Sequence, residues 1–546
     1  MSKKTVLIHS NFCRAFTGFG KNKKNIMRYL FDTGKYNLVE LANGIEWDNP
    51  ATQTVPWECR GTLPPPAQLN NLNEDEKRSA GYGEKLVDRA IKEFKPDVYI
   101  GIEDIWAFNR FHLKAWWNNI NTMVWTTLDS LPLLPQAVEY APKIKNYYVW
   151  SSFAEKAFNK IGYDHVKTLR GSLDTSNFFR FSDAKREQYL IGFVFRNQLR
   201  KSVPNLLDGF KIFKEKEPKA KLLLHTHWSE GWDIPRLLQE KDINPQDVLT
   251  TYVCSKWSCY EVRPFSGQEK HCKRCGSQGT VNTTNTSKGV SEEQLNEVYN
   301  LMDVYCHPFT SGGQEIPIQE AKLTELITLV TNYSCGEDTC TKDSAGIPLK
   351  WSEYREPGTQ FIKASTSPES ISEELTKVWQ LGEDEKREAG RKARQWTIDN
   401  FSVEVIGKQL EEIIDKMPPV DYDYEFAGGV KFDVAYEPKA NYAAPKDFII
   451  DIYKNILNEH IDKNSSGFKH WMDKINSGTN PQEIVNYFKK IAQDHKNKTS
   501  VKDLSEILGD EGKNKRIAIV IPQSEIDVFF INSLIRSMPT FLPLIF

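Results

Sequence analysis

The chain has 546 residues, 39% of them hydrophobic and 26% charged, with a formal net charge of -2. That length exceeds a single hydrophobic core and implies two or three domains, and the near-neutral charge gives no global attraction for nucleic acid or an acidic membrane. No apolar run approaches a membrane span, and the chain enters a strand pattern at Val6–His9 without the apolar region and cleavage site of a secretory signal, so a cytoplasmic protein is expected, in a bacterium or a virus-infected host cell.

Thr5–His9, then Gly18 and Gly20 within Thr17–Lys21, then a helical Asn25–Leu30 read as strand, glycine loop and helix. Further strands are predicted at Asp97–Gly101, Thr122–Trp125 and Tyr147–Trp150, with a helix at Glu84–Phe94 among them. Such alternation implies a parallel sheet whose ligands sit at the carboxyl ends of its strands. Asp104 and Asp129 each fall just past such an end. A carboxylate there can orient or deprotonate a hydroxyl group, or it can simply cap a turn; Asp129 is the preferred candidate of the two.

Tyr189–Phe195 is a near-continuous apolar run, as a strand buried on both faces should be. Arg196 stands at its carboxyl end and Lys201 five positions on, before a helix at Val203–Phe213. Two cations so placed can neutralise a diphosphate, or can be solvated loop residues. His225 and His227 share one face of the next strand, but no third metal ligand accompanies them.

Nine cysteines occur, and four of them fall at Cys254, Cys259, Cys272 and Cys275. Two close pairs of this kind can place four thiolates tetrahedrally around zinc, with His271 as an alternative ligand; unligated thiols are the other reading. Lys256, Lys270, Lys273 and Arg274, with Trp257 and Tyr260, could touch nucleic acid or a polyanionic acceptor, although a structural insertion beside a cleft is the plainer expectation.

Asp303–Pro308 running into Ser311–Ala321 reads as a buried strand, a glycine-turned loop and a helix that starts near Pro317. Gly312 and Gly313 allow close approach of the backbone to a ligand, and the free N–H groups of a helix start suit a phosphate. Glu320, one turn inside, could accept hydrogen bonds from ribose hydroxyls. A strand at Leu326–Thr331 and helices at Ser370–Leu381, Glu385–Asn400 and Val403–Met417 follow. Pro418–Pro445 has no periodicity, Asp447–Phe488 is helical in spacing, and Lys515–Pro522 with Phe529–Met538 predicts one more strand and helix.

The pattern Asp303-Val304-Tyr305, Pro308, Gly313, Pro317 and Glu320-Ala321 resembles the nucleotide-sugar site of glycosyltransferases with two facing Rossmann-like domains, the GT-B fold. The Arg196-x4-Lys201 spacing resembles the pair that such enzymes place on the donor pyrophosphate. Retaining members of the group-1, family-4 kind carry a Glu-x7-Glu motif. Its second Glu matches Glu320, whereas its first falls on Gly312, with Glu315 the nearby substitute.

The resemblance implies an α/β architecture with an acceptor domain over 1–185 and a nucleotide-sugar domain over 186–415, interrupted at 253–290 by a small four-cysteine zinc ribbon. A linker at 416–445, a small all-helical accessory module at 446–496 and the start of a further α/β element at 512–546 would follow. The implied activity is a hexosyltransferase-like transfer from a UDP- or GDP-linked sugar to a carbohydrate or other hydroxyl acceptor. Asp129, Arg196 and Lys201 would be catalytic. Gly18, Gly20, Arg196, Lys201, Gly312, Gly313, Gln314, Glu315 and Glu320 would hold the donor. Zinc on Cys254, Cys259, Cys272 and Cys275 would be structural, and no catalytic metal is expected. Two rivals stand: a transferase acting on modified phage or viral DNA bases, with the zinc ribbon on nucleic acid, and a non-catalytic binding protein on a degenerate transferase fold, which Gly312 suggests.

Overall fold

The computed structural model describes residues 3–498 other than 16, 109, 182–187, 268–270, 286–288, 423–434, 440, 458–460, 462 and 464. Seven strands form a first sheet: β1 (Lys4–Asn11), β2 (Tyr36–Glu46), β3 (Glu58–Leu63), β4 (Val98–Ile102), β5 (Asn121–Thr126), β6 (Asn146–Val149) and β7 (Lys167–Thr168). Their order is β3-β2-β1-β4-β5-β6-β7 and every pairing is parallel. Val6, Leu7 and Ile8 are wholly buried, because helices cover both faces of such a sheet. β1 lies between β2 and β4, so the strand order reverses there and a crevice opens above the carboxyl ends.

The second sheet repeats the device. It comprises β8 (Leu190–Val194), β9 (Lys221–His225), β10 (Val248–Cys254), β11 (Cys259–Pro264), β12 (Val281–Thr283), β13 (Val304–His307), β14 (Thr328–Thr331) and β15 (Gly346–Leu349). The order is β11-β10-β9-β8-β13-β14-β15, with β12 also on β10. Only β11 and β12 run antiparallel to their neighbour, because they belong to the cysteine-bearing insertion. The reversal lies between β8 and β13, the two strands that carry the candidate donor loops.

The chain then crosses back. Leu173 exchanges backbone hydrogen bonds with Phe401 (2.7 Å) and Val403 (3.1 Å), and the helix Val403–Lys416 buries Ile406, Leu410 and Ile414 against the first lobe. Pro418 and Val420 continue onto that lobe, bonded to Asn121 (2.7 Å) and Asp97 (2.8 Å). Helices Pro445–Ile456, Ser466–Asn476 and Pro481–Lys498 have an apolar core of their own around Phe448, Ile452, Ile484 and Phe488. The strand and helix expected at Lys515–Pro522 and Phe529–Met538 lie outside the described residues.

β2 and β3 have no clear signal in the sequence, and the reason is chemical. Glu40 breaks the apolar run of β2, yet it is fully buried, 2.7 Å from the equally buried Lys23. Cys13 N–H (2.9 Å) and Trp57 Nε1 (2.7 Å) donate to the same carboxylate, and Lys23 also donates to Ser10 O at 3.0 Å. A buried ion pair survives only when its remaining valences are met in this way. Removing one partner leaves an uncompensated charge, so Glu40→Gln or Lys23→Met is expected to cost about 3–5 kcal/mol in chemical denaturation, and the double variant less than the two single losses together.

Candidate functional site

The loops after β8 and β13 bring the charges together. Arg200 and Lys201 lie in a short turn, Leu199–Lys201, that ends at Ser202 in the left-handed conformation (φ 47°). After β13 the chain passes through Ser311–Glu315 into the helix Ile316–Leu323. Glu315 is the meeting point: its carboxylate, 3% exposed, pairs with Lys201, 4% exposed, and with Arg200, 35% exposed. Burial opposes its ionisation, but Arg200 and then Lys201 hold it well below the usual carboxylate range.

His307 Nε2 lies 3.1 Å from the same carboxylate. Burial pulls this imidazole down to about 4, so it is neutral near pH 7. Facing a carboxylate, Nε2 donates, and Nδ1 lies 2.9 Å from the Tyr305 hydroxyl, whose single proton is shared between it and Val194 O at 3.1 Å.

Two glycines make this packing feasible. A Cβ at Gly312 would stand 2.5 Å from Glu315 Oε1 and 3.2 Å from Arg200 Nη1, so the Glu315 carboxylate occupies the space that a side chain at 312 would take. A Cβ at Gly313 would stand 2.4 Å from Thr127 Cβ and 2.9 Å from Asp129 Oδ1, so glycine lets this loop press against the first lobe. Among the described residues no acceptor meets the N–H of Gly313, Gln314 or Glu315. These donors at a helix start are open to an anion.

Glu320, one turn into the helix, is buried and accepts a hydrogen bond from the Tyr299 hydroxyl at 2.8 Å. Burial pushes its carboxyl up, against the attraction of Lys21 in the first lobe. Lys21 follows Gly18 and Gly20 in the helix Gly18–Thr33, and also lies 3.4 Å from Glu292. Thr17 Oγ1 caps that helix by accepting from Gly20 N–H at 3.0 Å. Gly18 faces across the cleft, where a Cβ would be 3.7 Å from Ile316 Cδ1.

The first lobe supplies an acidic wall. A cavity of about 240 Å³ is lined by Asp104, Trp106, Asp129, Glu356, Phe361 and Lys363, among others. Thr127 Oγ1 donates to Asp104 at 2.5 Å. Burial raises Asp104 to about 6, and burial with the charge of Asp104 raises Glu103 to about 8. Asp129 faces the cleft, where its close walls raise it and Arg200 opposes them.

Lys363 spans the lobes, donating to Ser130 Oγ (2.9 Å) and Ser311 Oγ (2.8 Å). Ser334 Oγ lies 2.6 Å from Gly312 O and 2.7 Å from Asp129 O, and Gln314 pairs with both Gly171 N–H (2.9 Å) and Gly171 O (3.0 Å). A wider groove of about 950 Å³ lies elsewhere, beside Trp257, Lys273 and Arg274 on the insertion, where Glu261 and Glu297 offset the basic groups.

In the insertion, the thiols of Cys254, Cys272 and Cys275 all lie within 4.8 Å of one another, a group that can hold a metal ion. Cys254 and Cys275 sulfurs are 3.7 Å apart. That separation is close to the ~3.8 Å edge of a tetrahedron of thiolates around an ion at Zn–S ≈ 2.3 Å. Cys259 does not join the three, but it is the cross-strand partner of Cys254 and packs against the cluster. Ser277 and Thr280 hydroxyls surround Cys254 at 3.9 and 3.3 Å.

No protein-family model matches the chain, and no curated protein matches its sequence. Solved structures do. A glycosyltransferase from Rickettsia africae superposes with a TM-score of 0.54 at 14% identity, over 76% of this chain and 99% of that one. The sucrose-phosphate synthase of Thermosynechococcus elongatus gives 0.51 at 12% identity over 76% and 99% of the two chains. The N-terminal domain of Candida albicans trehalose-6-phosphate phosphatase gives 0.50 at 13%, over 76% and 97%. The chain has the GT-B fold. No helix among the described residues is long and apolar enough to cross a membrane.

The structure gathers Gly18, Gly20, Asp129, Lys201, Gly312, Gly313, Gln314, Glu315 and Glu320 around one cleft, with different occupations from those the sequence suggests. Gln314 is engaged by the Gly171 backbone, and Lys201 by Glu315. Arg196 stands at the rim, 53% exposed and 3.3 Å from Glu230. Arg200, Tyr299 and Lys363 escape a reading of the sequence. Arg200 is hidden by its neighbour in an Arg-Lys dipeptide. Tyr299 and Lys363 carry no local signal, since they reach the cleft from other elements. Glu103 titrates from 4.5 when unfolded to about 8 when folded. Its contribution to stability is therefore full at low pH and is lost as pH rises across that interval. Thermal midpoints measured from pH 5 to 9 should fall in the parent and fall less in Glu103→Gln.

Proposed function

We propose that this chain transfers a sugar from a nucleoside diphosphate to a hydroxyl acceptor. The observation that carries the reading is the pairing across the cleft: Arg200 and the Gly313 turn on one wall lie against Asp129, beside Asp104, on the other, and Glu320 attracts Lys21 of the first lobe. Glu320 suits ribose hydroxyls. The loop donors and the guanidinium suit the diphosphate, whose charge grows as the bond to the sugar breaks. Asp129 or Asp104 suits the hydroxyl of the acceptor, as a group that orients it or takes its proton. The cavity beside them is smaller than the roughly 300–1,000 Å³ of most small-molecule pockets, so it suits one ring or one end of an acceptor.

In this reading the cysteine cluster holds structural zinc, with Cys259 completing the set by a change of rotamer. Protein groups then bear the leaving-group charge. The specific rival is a binding protein on the same fold, and it draws on Glu315, which already neutralises one of the cations beside the donor loop.

A thermal-shift screen of UDP-, GDP-, ADP- and TDP-sugars should raise the midpoint with one nucleotide, and Glu320→Ala should abolish that rise. No rise with any of them would favour the rival. Asp129→Asn should keep the rise while lowering turnover by about 10²–10⁴. Metal analysis of the purified chain should give about one zinc per chain, lost with a lower midpoint in Cys272→Ser.

A further inference from the structure

We propose that Lys201 is a captive structural cation and that Arg200 alone of the basic loop meets the leaving diphosphate, an assignment that rests on the donor-site reading above. The two side chains leave the same short turn and reach the same carboxylate, but they differ in exposure. Lys201 points inward, 4% exposed, onto a carboxylate that is 3% exposed. Its partner carboxylate is fixed in turn by His307, which the Tyr305 hydroxyl orients. A cation sealed in this way has its charge cancelled inside the fold, and withdrawing it toward a ligand would strand Glu315 without its closest counter-ion.

Arg200 lies along the mouth of the same cluster. Its Nε donates to Gln198 Oε1 at 3.2 Å and its Nη1 to Ser311 O at 3.1 Å as well as to Glu315. Among the described residues no acceptor meets Nη2, and the side chain is 35% exposed. The guanidinium lies against the Gly312 turn, beside the open N–H groups of Gly313, Gln314 and Glu315. With His307 neutral, Glu315 is shared by the two cations, and Arg200, which Asp129 also attracts from the first lobe, keeps the outward edge of its fork. A planar guanidinium beside backbone donors is the geometry that grips a phosphate by two oxygens. Arg196, at the rim with Glu230, adds only a screened charge.

Two measurements on the intact chain decide the matter. In the first, the protein is acylated with acetic anhydride, with and without UDP, GDP or ADP, and read by peptide mass spectrometry. Lys201 should remain unmodified in both states. Modification in the free protein with protection by the nucleotide would overturn the assignment. In the second, calorimetry compares each nucleoside diphosphate with its nucleoside. Arg200→Ala should weaken the diphosphate at least about ten-fold and the nucleoside less than about two-fold, and Arg196→Ala should weaken the diphosphate less than about three-fold. An unchanged diphosphate affinity in Arg200→Ala, or an equal loss for the nucleoside, would overturn it. A parent protein that binds no nucleoside diphosphate would instead remove the donor site, and this assignment with it. That outcome is distinct, because it appears before any variant is made.

Discussion

Burying Lys201 at the carboxyl end of β8 requires an anion, and Glu315 supplies it from the loop after β13. The pair joins the two strands at the point where the order of the second sheet reverses, so the interaction is built into the topology. Its demands spread outward. Glu315 needs space, which Gly312 leaves, and it needs its other oxygen met, which Arg200 does. His307 must present Nε2–H, and Tyr305 fixes the ring that does so. The loop is thereby held at the start of the helix Ile316–Leu323, where no acceptor among the described residues meets the N–H of Gly313, Gln314 or Glu315.

The same loop determines how the lobes meet. Gly313 brings its backbone against Thr127 and Asp129, while Ser334 and Lys363 bridge the two walls with hydrogen bonds. Gln314 ties the loop to the backbone of Gly171, and Ser152 N–H donates to Asp338 at 2.9 Å. Phe153 and Tyr333 pack edge to face across the join, their rings 5.4 Å apart. The join is therefore mixed, with polar bridges beside an apolar patch in which Leu128 and Leu131 of the first lobe pack with Tyr333, Ala364 and Ile362 of the second. The helix Val403–Lys416, packed on the first lobe, keeps the lobes tethered throughout.

Much of this is legible in the chain because parallel strands buried on both faces leave long apolar runs. Leu190–Val194 and Val304–His307 are visible for that reason, and the glycines and Pro317 mark the turn between strand and helix. β2 is hidden because its buried Glu40 is satisfied by Lys23, which belongs to the helix before it and meets it only once both have packed. The destination of each loop cation is hidden too. Spacing shows that Arg196, Arg200 and Lys201 share a loop, but only packing decides which one turns inward to meet Glu315. Lys363 and Tyr299 reach the cleft from a hairpin and a neighbouring helix, and no sequence pattern links them to it. The cysteines are legible from spacing alone, and three of the four converge.

We propose that the cleft breaks the bond between a sugar and a nucleoside diphosphate. Its most direct test is to incubate the purified chain with a mixture of nucleotide sugars and hydroxylated acceptors and to follow nucleoside diphosphate by chromatography. Release of one diphosphate is expected, accompanied by a glycosylated acceptor of matching mass, with loss of both in Glu320→Ala. Release of none from a natively folded protein that nonetheless binds the nucleotide would contradict it and leave a binding protein on a transferase fold.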